Sequence, residues 1–246
     1  MKSIIEAIIK TSHSRSDLCI NIICEMEYTA VAEIGVYKGE FAEKILRGCK
    51  QVKTYIMIDP WRNLSDWNKP ANVNDLLFRE YYEEAIARTN FWSEKIRILK
   101  GKTTEVIDEV DDESCDLIYV DGDHTLKGIS IDLISVWSKI KKDGVVLGDD
   151  FSPSIWQHGK KFDPSMVFPF AVHFAEAMNR KIYALPFYQF LICKGQKGFE
   201  FIDFTNGSYS RTDLREQLLN RNSYILRHEL LRGYLAFSKL FKRGLP

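Results

Sequence analysis

Between residues 28 and 150 the chain alternates short apolar runs with longer amphipathic stretches. The runs Ala30–Ile34, Thr54–Ile58, Ile96–Leu99, Leu117–Val120 and Val145–Leu147 are nearly all apolar and rich in β-branched residues. Strands covered on both faces of a sheet read this way. Between them the periodicity predicts helices over 39–48, 73–90, 103–110 and 125–141. In the last, Leu126, Ile129, Leu133, Val136, Trp137 and Ile140 share one stripe, and Asp143-Gly144 offers a C-terminal stop. Strand alternating with helix implies right-handed β-α-β units and a mainly parallel, doubly wound α/β sheet.

The flanks differ. Residues 1–27 predict two helical pieces broken at His13 and Ser14. Residues 151–164 read as a loop and 165–179 as a helix. Two further strands, Lys181–Leu185 and Tyr188–Cys193, are separated only by Pro186 and Phe187, which predicts an antiparallel hairpin. A glycine-punctuated stretch from 195 leads to helices near 211–220 and 222–243. The expected organisation is a helical extension (1–27), a central domain (28–194) and a helical appendage (195–246).

Composition narrows the class. With 45% hydrophobic residues the chain has ample apolar surface to bury, which excludes disorder. Thirty-four basic and 34 acidic residues cancel, so nucleic acid is not an expected partner. The neutrality is a sum of opposites. Glu105–Asp123 holds nine acids and no Lys or Arg, whereas Arg221, Arg227, Arg232, Lys239, Lys242 and Arg243 face only Glu229. The five cysteines form no Cys-x-x-Cys pair, arguing against a disulfide framework or a zinc site. Glu6 and Lys10 interrupt the first apolar run, and no stretch approaches the roughly 20 apolar residues of a membrane span. A cytoplasmic protein with free thiols is expected, and the terminal helices offer surface for a homodimer.

Candidate chemistry gathers where strands end. Ligands in open α/β sheets bind beyond the carboxyl ends of strands. The first strand runs into Glu33-Ile34-Gly35-Val36-Tyr37-Lys38-Gly39. Tyr37 stands where the dinucleotide fingerprint has its middle glycine, and Glu33 suits an ammonium better than a pyrophosphate. Asp59, 24 positions beyond Gly35, can accept from two ribose hydroxyls, with Pro60 and Trp61 offering an aromatic face for a base. Thr103 and Thr104 follow Gly101 and serve either a ligand edge or a helix start. The fourth strand ends in Asp121-Gly122-Asp123-His124 and the fifth in Asp149-Asp150. Crowded carboxylates need a positive partner, and a divalent cation on one carboxylate of the fourth strand end and the pair at the fifth supplies one, unless these are solvated loop acids or helix caps. Asp123 either takes part in the chemistry or caps the next helix, and Asp123 or His124 is the candidate general base. Asp132 reads as a structural partner. Trp156, His158, Lys160 and Lys161 in the loop after the acid pair are candidates to cover an acceptor, and 62–78, with Trp67, forms a second wall.

These motifs in this order resemble class I S-adenosylmethionine-dependent methyltransferases, within them the Asp-Gly-Asp-His group, over about residues 28–194. They are also similar to the metal-dependent sugar O-methyltransferases of macrolide and aminocoumarin biosynthesis. The resemblance implies a Rossmann-like, seven-stranded, mainly parallel sheet with a C-terminal antiparallel hairpin. It implies S-adenosylmethionine held by Glu33, Gly35, Tyr37, Gly39, Asp59, Pro60, Trp61, Thr103, Thr104 and Asp121. It further implies Mg²⁺ on Asp121, Asp149 and Asp150, Asp123 or His124 deprotonating the acceptor, and a sugar, glycan or other polyhydroxylated acceptor. Metal-independent methyl transfer to oxygen or nitrogen, and a non-catalytic nucleotide-binding module, are the alternatives.

Overall fold

Among the described residues, eight strands pair into one sheet in the order β3-β2-β1-β4-β5-β7-β6-β8. They are β1 (Ala30–Ile34), β2 (Thr54–Asp59), β3 (Ile96–Lys100), β4 (Cys115–Val120), β5 (Ile140–Gly148), β6 (Arg180–Leu185), β7 (Gln189–Lys197) and β8 (Glu200–Asp203). The helices are α1 (Lys2–Thr11), α2 (Arg15–Glu25), α3 (Glu40–Gly48), α4 (Asp75–Thr89), α5 (Thr103–Val106), α6 (Leu126–Val136), α7 (Val167–Ala177) and α8 (Leu214–Leu219). The computed structural model describes residues 1–159, 161–210, 212–219, 221–223, 226–227, 229–231 and 233.

β1–β5 pair in parallel, and β7 runs antiparallel between β5 and β6. Side chains alternate across the sheet, as strand geometry requires. Tyr55, Met57, Tyr119, Leu147 and Leu191 face one core with Ile5, Leu18 and Ile45 from α1–α3. Ile56, Ile118, Val146 and Ile192 face the other with Ile129, Leu133 and Ala171 from α6 and α7. The α1–α2 break falls at Ser14, whose side chain accepts from the Asp17 N–H and caps α2.

Three expectations change. α6 ends at Val136, and Ile140, Asp143 and Gly144 belong to β5. A Cβ on Gly144 would lie 2.6 Å from the Asp116 carbonyl, so this glycine serves close strand pairing at a register shift, not a helix stop. The predicted helix over 103–110 divides into α5 and a 3-10 turn at Ile107–Glu109. β8 adds an eighth strand, parallel to β6. Its four residues bury only Ile202, too little apolar surface to announce a strand. The helix expected over 222–243 lies largely outside the described residues, including Arg232, Lys239, Lys242 and Arg243. No helix among the described residues is long and apolar enough to cross a membrane.

Candidate active site

The carboxyl ends of β1, β2 and β4 open into a cavity of about 810 Å³, lined by Glu33, Gly35, Tyr37, Asp59, Pro60, Thr103, Thr104, Asp121, Asp123 and His124 among others. That volume lies within the usual range of small-molecule sites. The sheet brings these positions together because parallel strands end in register: Glu33 pairs with Met57 and Tyr119, and Ile34 with Ile58 and Val120. Gly35 sits at φ 87°, and a Cβ there would lie 2.0 Å from the Asp121 carbonyl oxygen. Only glycine lets the β1–α3 turn approach the end of β4 so closely.

Two buried carboxylates lie on this wall. Glu33 is 1% exposed and accepts from Tyr55 Oη at 2.6 Å. Burial pushes its pKa up to about 8, against the Tyr55 hydrogen bond and with the help of the Asp121 charge. Asp59 accepts from the Tyr37 N–H at 2.9 Å and the Trp61 N–H at 2.7 Å. Burial raises it to about 6 despite those bonds. Each of its oxygens keeps acceptor capacity beyond its backbone bond.

The raised Glu33 has a sign for stability. A carboxyl whose folded pKa exceeds the ordinary 4.5 stabilises the fold fully below that value and loses this contribution as pH rises through about 8. Glu33→Gln, which never ionises, is therefore expected to melt higher than the wild type at pH 8 and above, by about 1–2 kcal/mol without ligand, with the two curves converging below pH 5. Ligand-free thermal melts across that range check this.

Several expected residues are engaged within the protein, some of them away from the cavity. Trp61 is 3% exposed, its indole N–H donates to the Tyr37 carbonyl at 2.7 Å, and its ring meets the edge of Tyr82. It braces the turn and offers no face to the cavity. Gly39 precedes α3, and a Cβ there would crowd the Ala85 backbone at 2.9 Å, so it serves helix packing. Thr103 donates to Asp132 Oδ1 at 2.5 Å. Asp132 also lines the cavity, and burial raises its pKa to about 7 against that bond. Trp156 is buried, with its indole N–H on the Gln217 carbonyl at 3.0 Å, and anchors α8 to the loop after β5. His158, from the same loop, reaches the cavity. Lys160 lies outside the described residues.

The acids at the ends of β4 and β5 are neutralised by a residue that the sequence pattern did not single out. Arg15, the first residue of α2, places its guanidinium on Asp121 Oδ2 at 3.0 Å and on Asp149 Oδ2. Phe41 supports it, with its ring centroid 5.5 Å from the guanidinium carbon. Gln189 Nε2 donates to the other Asp149 oxygen at 2.5 Å. Asp150 turns away from this pair to His124 Nδ1 at 2.5 Å and His158 Nε2 at 3.8 Å. Burial opposes charge on His124, but Asp121 and Asp150 outweigh it and push its pKa up to about 10. Burial also works against the charge of Asp150, yet the two histidines hold its carboxyl well below the usual range. Nothing local in the sequence marks Arg15; the only hint was a surplus of carboxylates lacking a partner.

Asp123 is placed differently from its neighbours. Its Oδ1 accepts from Trp67 Nε1 at 2.8 Å and from the Thr125 N–H at 2.9 Å, and Oδ2 from Thr125 Oγ1 at 3.0 Å. The cap of α6 is Thr125, which accepts from the Gly128 N–H. Of about four acceptor positions on a carboxylate, three are used, leaving one on Oδ2. The second wall is also real: Trp67 and Lys69 line the cavity, and Lys69 Nζ donates to the Asp163 carbonyl at 2.8 Å, fastening this wall to the loop after β5.

Residues 32–151 match a family model described as a methyltransferase domain. No curated protein matches the chain in sequence. Among solved structures, an O-methyltransferase from Bacillus cereus in complex with SAH is similar at 12% identity and TM-score 0.56, over 78% of this chain and 90% of that one. A putative caffeoyl-CoA O-methyltransferase from Staphylococcus aureus matches at 17% identity and TM-score 0.55, over 74% and 82%. TomG from Streptomyces achromogenes, an O-methyltransferase involved in tomaymycin synthesis and solved with SAM, matches at 13% identity and TM-score 0.52, over 77% and 82%. At these identities the likeness is one of fold. The chain has the Rossmann-like methyltransferase fold, and residues 32–151 are the part that is similar to the methyltransferase-domain model.

Proposed function

We propose that this protein is an S-adenosylmethionine-dependent O-methyltransferase acting on a small hydroxylated acceptor. The observation that carries the reading is one cavity lined by two chemically distinct groups of residues. Buried Glu33 and Asp59 line it together with Asp123, which keeps a free acceptor position. When bound, the cofactor supplies an electrophilic methyl on a positively charged sulfur. Glu33, whose carboxyl burial pushes up, is a group that an incoming ammonium would draw into its charged form, and Asp59 can accept from two ribose hydroxyls. Tyr37 and Pro60 border the same cavity, while Trp61 acts by holding the turn. Asp123 takes the acceptor proton. His124 has both ring nitrogens turned to carboxylates, Nε2 to Asp121 and Nδ1 to Asp150, and is not the base. Trp67 and His158 border the acceptor.

The residues do not fit Mg²⁺ on Asp121, Asp149 and Asp150. Arg15 takes an oxygen of the first two, and Asp150 faces the histidines.

Calorimetric titration with S-adenosylmethionine, followed by mass spectrometry of a panel of polyhydroxylated acceptors, tests the reading. Absence of cofactor binding would sink it. Asp59→Ala is expected to weaken cofactor affinity about tenfold, the loss of two hydrogen bonds to hydroxyls. An unchanged dissociation constant would remove Asp59 from the nucleoside site.

A further inference from the structure

We propose that His124, Asp150 and His158 form a binding site for a divalent first-row transition-metal ion on the cavity wall. The three residues come from separate segments: the end of β4, the end of β5 and the loop that follows it. Their ligand atoms all lie within 4.8 Å of one another. Asp150 Oδ2 is 2.5 Å from His124 Nδ1 and 3.8 Å from His158 Nε2. The two imidazoles lie nearly parallel, 19° apart, with centroids separated by 6.2 Å. An ion bonded at about 2.1 Å to each atom needs them roughly 3–4 Å apart, so shifts of about 1 Å complete the site. His158 Nε2 also lies 3.1 Å from the Gln157 amide, a contact that ligation replaces.

The donor set selects the ion. Two imidazoles and one carboxylate suit Mn²⁺, Fe²⁺, Co²⁺ or Zn²⁺, whereas Mg²⁺ prefers oxygen throughout. A second observation points the same way. His124 Nε2 is buried without an aligned hydrogen-bond partner, and Asp121 Oδ1 lies 3.3 Å from it. Ligation through Nδ1 displaces any proton there to solvent, leaves the other on Nε2 and directs it towards Asp121. Metal-bound histidines are commonly oriented by a carboxylate in this way. Arg15, clamping Asp121 from its other oxygen, holds that carboxylate in place. His124 and His158 both line the cavity, so the remaining coordination positions are available to an acceptor with adjacent oxygens.

The site stands on these residues alone, apart from the methyl-transfer reading, and its test omits cofactor and acceptor. The full chain is treated with chelator, dialysed and titrated with Co²⁺, followed by visible absorption and calorimetry. One Co²⁺ per chain is expected, displaced by Zn²⁺ and not by millimolar Mg²⁺. His158→Ala and Asp150→Asn should each weaken Co²⁺ binding at least about tenfold, while Asp149→Asn changes it less than about twofold. Thermal melts confirm that each variant is folded; His158 is partly exposed on a loop, and His158→Gln replaces the alanine variant should that one fail to fold. Absence of Co²⁺ binding, or binding indifferent to His158, overturns the proposal. So does loss in Asp149→Asn together with competition by Mg²⁺, which would return the ion to the carboxylates. Failure to bind S-adenosylmethionine would instead reject the methyltransferase reading and leave the metal result standing.

Discussion

Asp123→Asn is expected to lower kcat by about 10²–10⁴-fold while leaving cofactor affinity unchanged. Asparagine keeps the shape and can still accept from Trp67 and Thr125 through its carbonyl oxygen, so the second wall and the start of α6 should survive. What disappears is the anionic oxygen with an unused acceptor position. Because the change acts only while the acceptor hydroxyl loses its proton, it should appear in kcat and not in the calorimetric cofactor constant. Asp123→Ala should cost as much in kcat and also loosen the Trp67 wall, raising the acceptor KM. Full activity in Asp123→Asn would transfer the proton-acceptor role away from this residue. A slope in the pH–rate profile that follows His124→Ala would move it to the histidine.

Arg15→Ala should destabilise the ligand-free protein by about 2–4 kcal/mol and create a Mg²⁺ response that the wild type lacks. The guanidinium is the counter-charge for Asp121 and Asp149, whose side chains are only 20% and 10% exposed. Removing it leaves two neighbouring carboxylates to repel each other in a partly dry site. The expected loss lies below the figure for a fully buried pair because Arg15 itself is 43% exposed and water screens part of its charge. A small divalent cation then becomes the best available replacement. Thermal melts with and without millimolar Mg²⁺, at matched ionic strength, should show a rise for the variant and none for the wild type. Arg15→Lys should fall between the two, since an ammonium cannot fork to both carboxylates as a guanidinium does. A melting point unaffected by Arg15→Ala would mean that Asp121 and Asp149 are neutralised by something else, and the argument against Mg²⁺ at that place would fall with it.

The local signals that proved readable were those in which a side chain's environment follows from its own neighbours in sequence. The strands of the sheet centre were visible because both of their faces are buried, which makes them continuously apolar. Gly35 was visible because a tight strand-to-helix turn needs it. Trp61 was misjudged because an aromatic after Asp59 says nothing about which way its ring turns; the indole N–H found the Tyr37 carbonyl and went inward. Asp143-Gly144 imitated a helix stop because glycine also marks close strand pairing, and only the Asp116 backbone distinguishes the two. β8 escaped notice because a short edge strand buries almost nothing.

Hydrophobic periodicity alone predicts that this chain forms a doubly wound sheet with an acidic edge at the carboxyl ends of its strands. Periodicity is a property of consecutive residues. The sequence also established that the acids there need a positive partner, since like charges cannot be crowded without one. The identity of that partner belonged to the tertiary structure. Arg15 lies 106 positions before Asp121, and it meets the site only because α2 packs across the sheet and points its first residue over Phe41. His158 joins Asp150 only because the loop after β5 is pinned by Lys69 on one side and by Gln217 on the other. Charge balance states how much positive charge a site requires, and only packing decides which residue delivers it.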